Sequence, residues 1–192
     1  MNVSPSRPTS SKFSVEEYLA FIATRPDEER WQLIDGVAMM MTAPTKAHQR
    51  IGSNLAFALN MHFQVHRPEY YAYQEVGLIV PEVERFRPEA DVAVEDNAAD
   101  YESYSDKFYL VAEVLSESNT DKDVEIKRQR YLQHPGNLYV LIISQKEPWV
   151  QVWARRLDWQ PLELAHLDDR LELPEFGFAT TLRAIYAGTP VA

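Results

Sequence analysis

The chain contains no cysteine among its 192 residues. This absence excludes disulfide bonds and thiolate metal ligands, and it fits the reducing cytoplasm, where we expect the protein to act. The six glycines form no glycine-rich phosphate loop, and the sequence lacks GxSxG and HExxH elements. No apolar run approaches the ~18 residues of a transmembrane helix, so we predict no membrane partner.

Positive charge is also scarce. The chain has 19 Lys and Arg against 29 Asp and Glu, which gives a net charge of −10. This balance argues against a simple electrostatic nucleic-acid binder, because neutralising phosphates requires a basic face. It is compatible with a metal enzyme, in which bound cations offset the local negative charge.

The remaining composition is that of an ordinary globular protein, with 45% apolar and 25% charged residues. The first twelve residues are polar and rich in Pro and Ser, so we predict a flexible N-terminal segment over 1–12. The length of the rest suits one substantial core, which predicts a single domain over 13–192.

The order of predicted elements indicates an α/β fold with a mixed central β-sheet flanked by helices. Ser14 and Glu17 match a capping box at the start of a short helix. Asp35-Gly36 is typical of a tight hairpin turn, and residues 95–106 read as an acidic surface loop. The predicted helices are Val15–Ala23, Pro44–Phe63, Asp121–Gln133 and Thr181–Tyr186. The predicted strands are Trp31–Ile34, Val37–Met41, Tyr70–Val80, Asp91–Glu95, Leu110–Leu115, Leu138–Ile143, Trp149–Arg155, Pro161–Leu167 and Leu171–Leu173.

Two carboxylates stand inside runs of strand-forming residues. Asp91 lies in Ala90–Val94, and Glu113 lies in Leu110–Leu115. An ionised carboxylate among apolar neighbours must be paired with a cation or must bind a metal. Strand alternation allows both side chains to project from one sheet face, which would form a divalent-cation site. The alternative is two strand-end acids, each paired with an arginine.

Lys127 favours the functional interpretation of these acids. It lies in the helix after the second strand and shares one face with Val124 and Tyr131. A lysine on an inward face is unusual, and this one could reach the carboxylates. The alternative is a lysine whose stem covers apolar surface while its ammonium group stays in water.

Two further polar residues are accessory candidates. His48 begins the second helix on the same stripe as Ile51 and Leu55, where it could bind a phosphate or position water. A histidine packed without a function is the alternative. Gln32 is polar within an apolar strand and either points at the same site or makes a hydrogen bond at a sheet edge.

Several segments together resemble one family. The strings RPEADVAV, LVAEVLSESNTDKD and EIKRQRYLQHPGNLYVLI, preceded by WQLIDG and TAPTKAHQR, are similar to the putative restriction endonuclease (Uma-type) family. That family is placed in the PD-(D/E)XK nuclease superfamily. The resemblance runs from about Phe13 to Tyr186. It implies a restriction endonuclease-like fold.

The resemblance also implies roles for individual residues. Asp91 matches the aspartate of the PD element, and Glu113 matches the acidic residue of the (D/E)XK element. Leu115 occupies the place of the superfamily lysine, and Lys127 fits the helical position to which that lysine has moved in this family. Gln32 departs from the usual glutamate. His48 and Gln49 match the HQ pair of the family, to which we assign no firm role.

The function implied is a Mg²⁺- or Mn²⁺-dependent endodeoxyribonuclease that acts on DNA. Asp91, Glu113 and the Val114 carbonyl would hold the ion, because hard cations prefer oxygen ligands. Lys127 would orient water or stabilise the transition state. We expect a homodimer, because cutting both strands of a duplex suits two-fold symmetry. The alternative is a catalytically impaired nuclease-fold module that binds protein or nucleic acid, which Gln32 and the net charge favour.

Overall fold

The computed structural model describes residues 12–99, 101–116 and 120–192. Apart from Lys12, the predicted N-terminal segment lies outside the described residues. The helices are α1 (Val15–Ile22), α2 (Lys46–His66), α3 (Asp121–Gln133) and α4 (Leu182–Ile185). The strands are β1 (Trp31–Ile34), β2 (Val37–Met40), β3 (Tyr70–Leu78), β4 (Glu89–Asp96), β5 (Tyr104–Ser105), β6 (Phe108–Val114), β7 (Tyr139–Ile143), β8 (Val150–Ala154), β9 (Pro161–Leu164), β10 (Arg170–Leu173) and β11 (Phe178–Thr181).

A seven-stranded sheet organises the chain, in the order β5-β3-β4-β6-β7-β8-β9. The β6–β7 and β3–β5 pairs are parallel, whereas the other pairs are antiparallel. The β1–β2 and β10–β11 hairpins form separate two-stranded sheets. This architecture confirms the predicted α/β fold with a mixed sheet between helices.

One face of the sheet packs against α2 and the C-terminal elements. The predicted stripe of Ile51, Leu55 and Leu59 is fully buried in this first core. The Thr45 side chain caps α2 by accepting a hydrogen bond from the His48 backbone N–H. The helix continues three residues beyond the predicted Phe63 and ends just before the Arg67-Pro68 step.

The opposite face packs against α3 and the β1–β2 hairpin. A Thr120–Asp123 capping box starts α3, and the Tyr131 ring is buried in this second core. Asp35 and Gly36 both have positive φ, as the tight hairpin turn requires. Arg130 then pairs with Asp35 at 3.1 Å and so ties the hairpin to α3.

The sequence missed one strand of the seven-stranded sheet, as well as β11 of the β10–β11 hairpin. The predicted surface loop over 95–106 contains β5, which pairs in parallel with β3 at Gly77 and Leu78. A Cβ atom at Gly77 would lie 2.6 Å from the Ser103 carbonyl oxygen, so glycine permits this close approach. A two-residue strand has too little periodicity to be recognised without its partner. None of the described helices combines the length and apolar character that a bilayer crossing requires.

Candidate active site

The two strand carboxylates occupy adjacent antiparallel strands near the middle of the sheet. Val92 of β4 lies opposite Ala112 of β6. Continuing this register by one residue places Asp91 across from Glu113. Glu113 is the penultimate residue of β6, so the pair lies where that strand ends beside the parallel strand β7.

Glu113 is held by two donors from α3. The Lys127 ammonium lies 2.7 Å from Glu113 Oε2, and the Tyr131 hydroxyl donates to Oε1 at 2.6 Å. Lys127 also donates to the Glu89 carbonyl oxygen at 3.1 Å. The Glu113 and Lys127 side chains are only 11% and 5% exposed. The predicted inward face of α3 is therefore correct, and Lys127 reaches Glu113.

Burial dominates the electrostatics of this group. It raises the pKa of Glu113, the nearby Asp91 charge adds to the rise, and Lys127 and Tyr131 oppose it only in part. Burial together with the Glu113 charge also raises the pKa of Tyr131, which keeps its hydroxyl protonated as a donor. Asp91 and Glu113 lie opposite each other when the β4–β6 register is continued, so their charges act on each other.

Asp91 is held from the other side. Its Oδ2 atom accepts a hydrogen bond from the Val114 backbone N–H at 2.6 Å and lies 3.3 Å from His48 Nε2. Burial lowers the pKa of His48, but the Asp91 hydrogen bond and charge and the Val114 carbonyl outweigh it, so the net pKa is raised. His48 thus contacts Asp91 and Val114, which the sequence had not specified.

Gln32 is buried, with 8% exposure, on β1. It shares a strand face with Ile34, which belongs to the second core. Within the described residues, its Oε1 atom has no hydrogen-bond partner. A buried acceptor without a partner costs about 1–3 kcal/mol, so a polar ligand at this position would recover free energy.

A side-chain bridge that the sequence did not reveal joins α2 to the end of β6. Gln145, after β7, donates to the Leu115 carbonyl at 2.7 Å, and the Thr45 hydroxyl donates to Gln145 Oε1 at 2.5 Å. Residues 45 and 145 are too far apart in the chain for spacing to indicate this contact. The role of Tyr131 was also missed, although its position four residues after Lys127 was a usable signal.

Most of the arginines near the site are paired with acids. Arg128 pairs with Glu125 and lies 3.8 Å above the Trp153 ring, while Arg130 pairs with Asp35. These two arginines of α3 therefore contribute little net positive charge to the surface around the site.

The oxygen donors that could hold a cation are the Asp91 and Glu113 carboxylates and the Val114 carbonyl. Each Glu113 oxygen accepts one hydrogen bond and retains a second lone-pair site. The Asp91 side chain is 19% exposed and open to an ion. In the described part of the chain, no group of three or more His, Asp or Glu side chains could bind a metal. A set of two carboxylates and a carbonyl, completed by water, suits Mg²⁺ or Mn²⁺.

A solved structure shares this architecture. It is the crystal structure of a putative nuclease belonging to DUF820 from Anabaena variabilis, with a TM-score of 0.73 and 16% sequence identity. The match covers 91% of this chain and 98% of that one. The protein described here therefore has a restriction endonuclease-like fold.

The family assignment follows from the sequence. The Uma2 profile, described as "Putative restriction endonuclease", matches residues 15–183. This chain belongs to the Uma2 family, as the resemblance predicted. No curated protein matches the chain.

Proposed function

We propose that this chain is a metal-dependent DNA endonuclease that hydrolyses phosphodiester bonds. The observation that carries the proposal is the buried Lys127–Glu113 ion pair next to Asp91. The residue after Glu113, Val114, donates its backbone N–H to the Asp91 carboxylate. A buried ion pair beside a second carboxylate is costly as a stability device alone, because desolvation offsets its attraction. Membership of the Uma2 family supports a nuclease.

Asp91, Glu113 and the Val114 carbonyl are the groups that would hold Mg²⁺ or Mn²⁺. When bound, such an ion supplies Lewis-acid polarisation of the phosphate and lowers the pKa of a coordinated water. The protein contributes orientation: the Val114 N–H fixes Asp91, and Tyr131 fixes Glu113. Preset ligands need little rearrangement during the reaction.

Lys127 is the electrostatic residue of the proposal. Its ammonium group is held by Glu113 and the Glu89 carbonyl, which accept two of its three donors. The third donor can stabilise negative charge that develops on a phosphate oxygen, or orient the attacking water. Burial strengthens this action, because the local dielectric constant is lower than that of water.

Contacts to the DNA backbone are proposed at the start of α2. Lys46 and Arg50 are exposed there, and neither takes part in an ion pair within the described residues. The first turn of α2 contains no acidic residue, so its partial positive charge adds to theirs. His48 lies between them in sequence and contacts Asp91, which puts this basic end next to the site.

The second candidate is a nuclease-fold module without catalysis, which binds protein or nucleic acid. Gln32 favours it, because an uncharged side chain stands where the resemblance has glutamate, and so does the net charge of −10. The module and the enzyme differ in their response to metal. Calorimetric titration with Mn²⁺ that shows no binding near millimolar concentration favours the module.

The direct test is cleavage of a supercoiled plasmid by purified protein with Mg²⁺ or Mn²⁺. We expect Asp91→Asn, Glu113→Gln and Lys127→Met each to reduce cleavage by about 10²–10³-fold, the usual loss for an essential electrostatic group. Circular dichroism at the assay temperature establishes that each variant is folded.

Asp96→Asn is the matched control. Asp96 lies on the same strand as Asp91 but accepts a hydrogen bond from the Tyr109 hydroxyl. We expect this variant to cleave like the wild type. Cleavage that persists unchanged in all three site variants would identify a contaminating nuclease and defeat the proposal.

A further inference from the structure

Two histidine rings lie side by side at the C-terminal end of α2. The centroids of the His62 and His66 rings are 4.8 Å apart, with an angle of 38° between the ring planes. Residues four apart are neighbours on one face of a helix, and α2 continues through His66, so both side chains project from regular helix. His48 lies fourteen residues earlier, which is about 20 Å along the helix. The pair is therefore remote from the candidate active site.

The His62 ring is held in a defined orientation. Its Nε2 atom lies 3.0 Å from the Phe176 carbonyl oxygen. A carbonyl oxygen only accepts hydrogen bonds, so Nε2 carries the proton and Nδ1 of the neutral ring keeps its lone pair. The Phe63 and Phe178 rings meet the His62 ring in T-shaped arrangements, at centroid distances of 6.0 and 5.6 Å. His62 thus offers one nitrogen as a ligand, on a ring that its neighbours already fix.

This carbonyl contact is the one that metal-binding histidines use. A ligating histidine usually donates its other ring N–H to a carbonyl or carboxylate, which sets the tautomer and the ring orientation. His66 is exposed, so an ion from solvent has access to its ring. A cation bound to one nitrogen of each ring, at a Zn–N distance of about 2.0–2.1 Å, places the two ring centroids about 5 Å apart. The separation of 4.8 Å in the structure is close to that value.

We propose that His62 and His66 form a second metal site, which binds Zn²⁺ through Nδ1 of His62 and one ring nitrogen of His66. Imidazole suits Zn²⁺, Ni²⁺ and Cu²⁺, whereas Mg²⁺ prefers oxygen ligands. Across residues 12–99, 101–116 and 120–192, no third His, Asp or Glu side chain completes the pair. Water fills the remaining positions, so the site is weaker than a structural zinc site with four protein ligands.

The charges around the pair are compatible with a bound cation. The neighbouring Arg67 is paired with Glu69 at 2.6 Å, which offsets its positive charge. The C-terminus of a helix carries partial negative charge and favours a cation in the last turn. The net charge of −10 on the whole chain adds a long-range attraction for cations. The local and the overall electrostatics therefore act in the same direction.

The role of the site is structural. Phe176 lies between β10 and β11, and Phe178 is the first residue of β11. An ion on the His62 ring strengthens the donor that holds the Phe176 carbonyl, and it also fixes the exposed His66 side chain. The last turn of α2 is then attached more firmly to the β10–β11 hairpin. An ion that binds only the folded chain stabilises it by mass action.

The alternative is a pair that stabilises the end of α2 without any ion. A protonated His66 in the last helical turn interacts favourably with the helix dipole. The two roles differ in their response to Zn²⁺, because a charged histidine at a helix end has no use for a metal. Binding of Zn²⁺ that depends on both rings therefore decides between them.

Calorimetric titration of the full chain with Zn²⁺ tests the proposal. Asp91→Asn serves as the parent protein, because it removes one ligand of the proposed active-site ion. We expect one Zn²⁺ per chain, and at least a tenfold loss of affinity when His66→Gln is added. His166→Gln is the matched control, because His166 is exposed and has no histidine four residues away. We expect it to leave the affinity unchanged.

Two further measurements examine stability and geometry. At Ni²⁺ a hundredfold above its dissociation constant, the melting temperature of the parent should rise by about 5–10 °C. We expect His66→Gln to abolish this rise. In ¹⁵N NMR of the imidazole groups, His62 should carry its proton on Nε2 before metal is added, and the Nδ1 resonance should shift on binding Zn²⁺.

The outcomes that overturn the proposal are specific to the pair. They are a parent protein that binds no Zn²⁺, binding that His66→Gln leaves unchanged, or a Zn²⁺ shift at Nε2 of His62 in place of Nδ1. Plasmid cleavage with Mg²⁺ reports the proposed function separately. We expect His66→Gln in the wild-type background to cleave at the wild-type rate, so either proposal can fail without the other.

Discussion

The two carboxylates of the candidate site are supported in different ways. Glu113 is almost fully buried, and each of its oxygens accepts one hydrogen bond from a side chain of α3. Asp91 is more exposed and relies on the Val114 backbone N–H and the His48 ring. The Glu113 side is therefore a buried charge network, whereas the Asp91 side is anchored by the backbone.

This difference predicts that substitutions around the two carboxylates change the stability of the fold by different amounts. Removing one partner of a buried ion pair leaves an uncompensated charge in a medium of low dielectric constant. A backbone N–H, by contrast, remains in place whichever side chain is replaced. We therefore expect changes around Glu113 to reduce stability strongly and changes around Asp91 to reduce it little.

The largest expected effect on the Glu113 side is that of Lys127→Met, which keeps the aliphatic stem and removes the ammonium group. We expect the free energy of unfolding to fall by about 3–5 kcal/mol, because Glu113 is left buried without its cation. Urea denaturation at neutral pH measures this loss. A loss below about 1 kcal/mol would show that Glu113 is not held as an ion pair.

Its control is the double variant Lys127→Met with Glu113→Gln. Removing both charges leaves no uncompensated ion, so we expect the double variant to regain much of the stability that Lys127→Met loses. Additive losses would mean that the two side chains do not interact.

Tyr131→Phe examines the second donor to Glu113. The phenylalanine ring retains the packing against Phe86 and Phe108, and only the hydroxyl is lost. We expect the free energy of unfolding to decrease by about 1.5–3 kcal/mol, the usual value for a hydrogen bond to a charged group. Thermal and urea denaturation of the purified variant give this value.

Tyr139→Phe is the control for that measurement, because Tyr139 is also fully buried. Its hydroxyl accepts a long, 3.5 Å hydrogen bond from the Glu175 backbone N–H. We expect a clearly smaller loss than in Tyr131→Phe. Equal losses would indicate that the hydrogen bond from Tyr131 to Glu113 contributes no more to stability than the long hydrogen bond at Tyr139.

His48→Asn tests the Asp91 side of the site by removing the ring that contacts Asp91. We expect the smallest loss in the free energy of unfolding, on the order of 1 kcal/mol. A raised pKa means that the folded state binds the proton more tightly. The contribution of His48 is thus full below the unfolded pKa of about 6.5 and is lost as pH rises through the folded value.

The measurement compares the melting temperatures of wild type and His48→Asn at pH 5.5 and pH 8.5. We expect the wild type to exceed the variant more at the lower pH. His62→Asn is a control on the same helix, because the His62 ring meets the Phe176 carbonyl. A difference that grows towards pH 8.5 contradicts the predicted sign.

Local patterns were sufficient for the main elements of the fold. The stripe of α2, the capping box of α1 and the apolar run of β7 each follow from spacing that a single segment contains. The strand β5 could not be predicted, because its two residues are ordered by pairing with Gly77.

Asp91 and Glu113 were recognisable as candidates because they are charges inside apolar strand patterns, whereas Lys127 lies in a polar helix and was selected by its helix face and by the family resemblance. The pairing of Arg130 with Asp35 was not predictable, since 95 residues separate them and only the tertiary fold unites them. The Arg130–Asp35 pair, like the Arg128–Glu125 pair, offsets positive charge on α3. The same limit applies to the Gln145 bridge.

The contact of Arg128 with the Trp153 ring has a practical consequence. Arg128 directly follows Lys127 in α3, so this indole lies against the helix that carries the proposed electrostatic residue. Trp153 is therefore a natural optical reporter, whose emission should respond when α3 shifts. Comparing fluorescence of the wild type and Trp153→Phe during Mg²⁺ addition would follow that movement without any attached label.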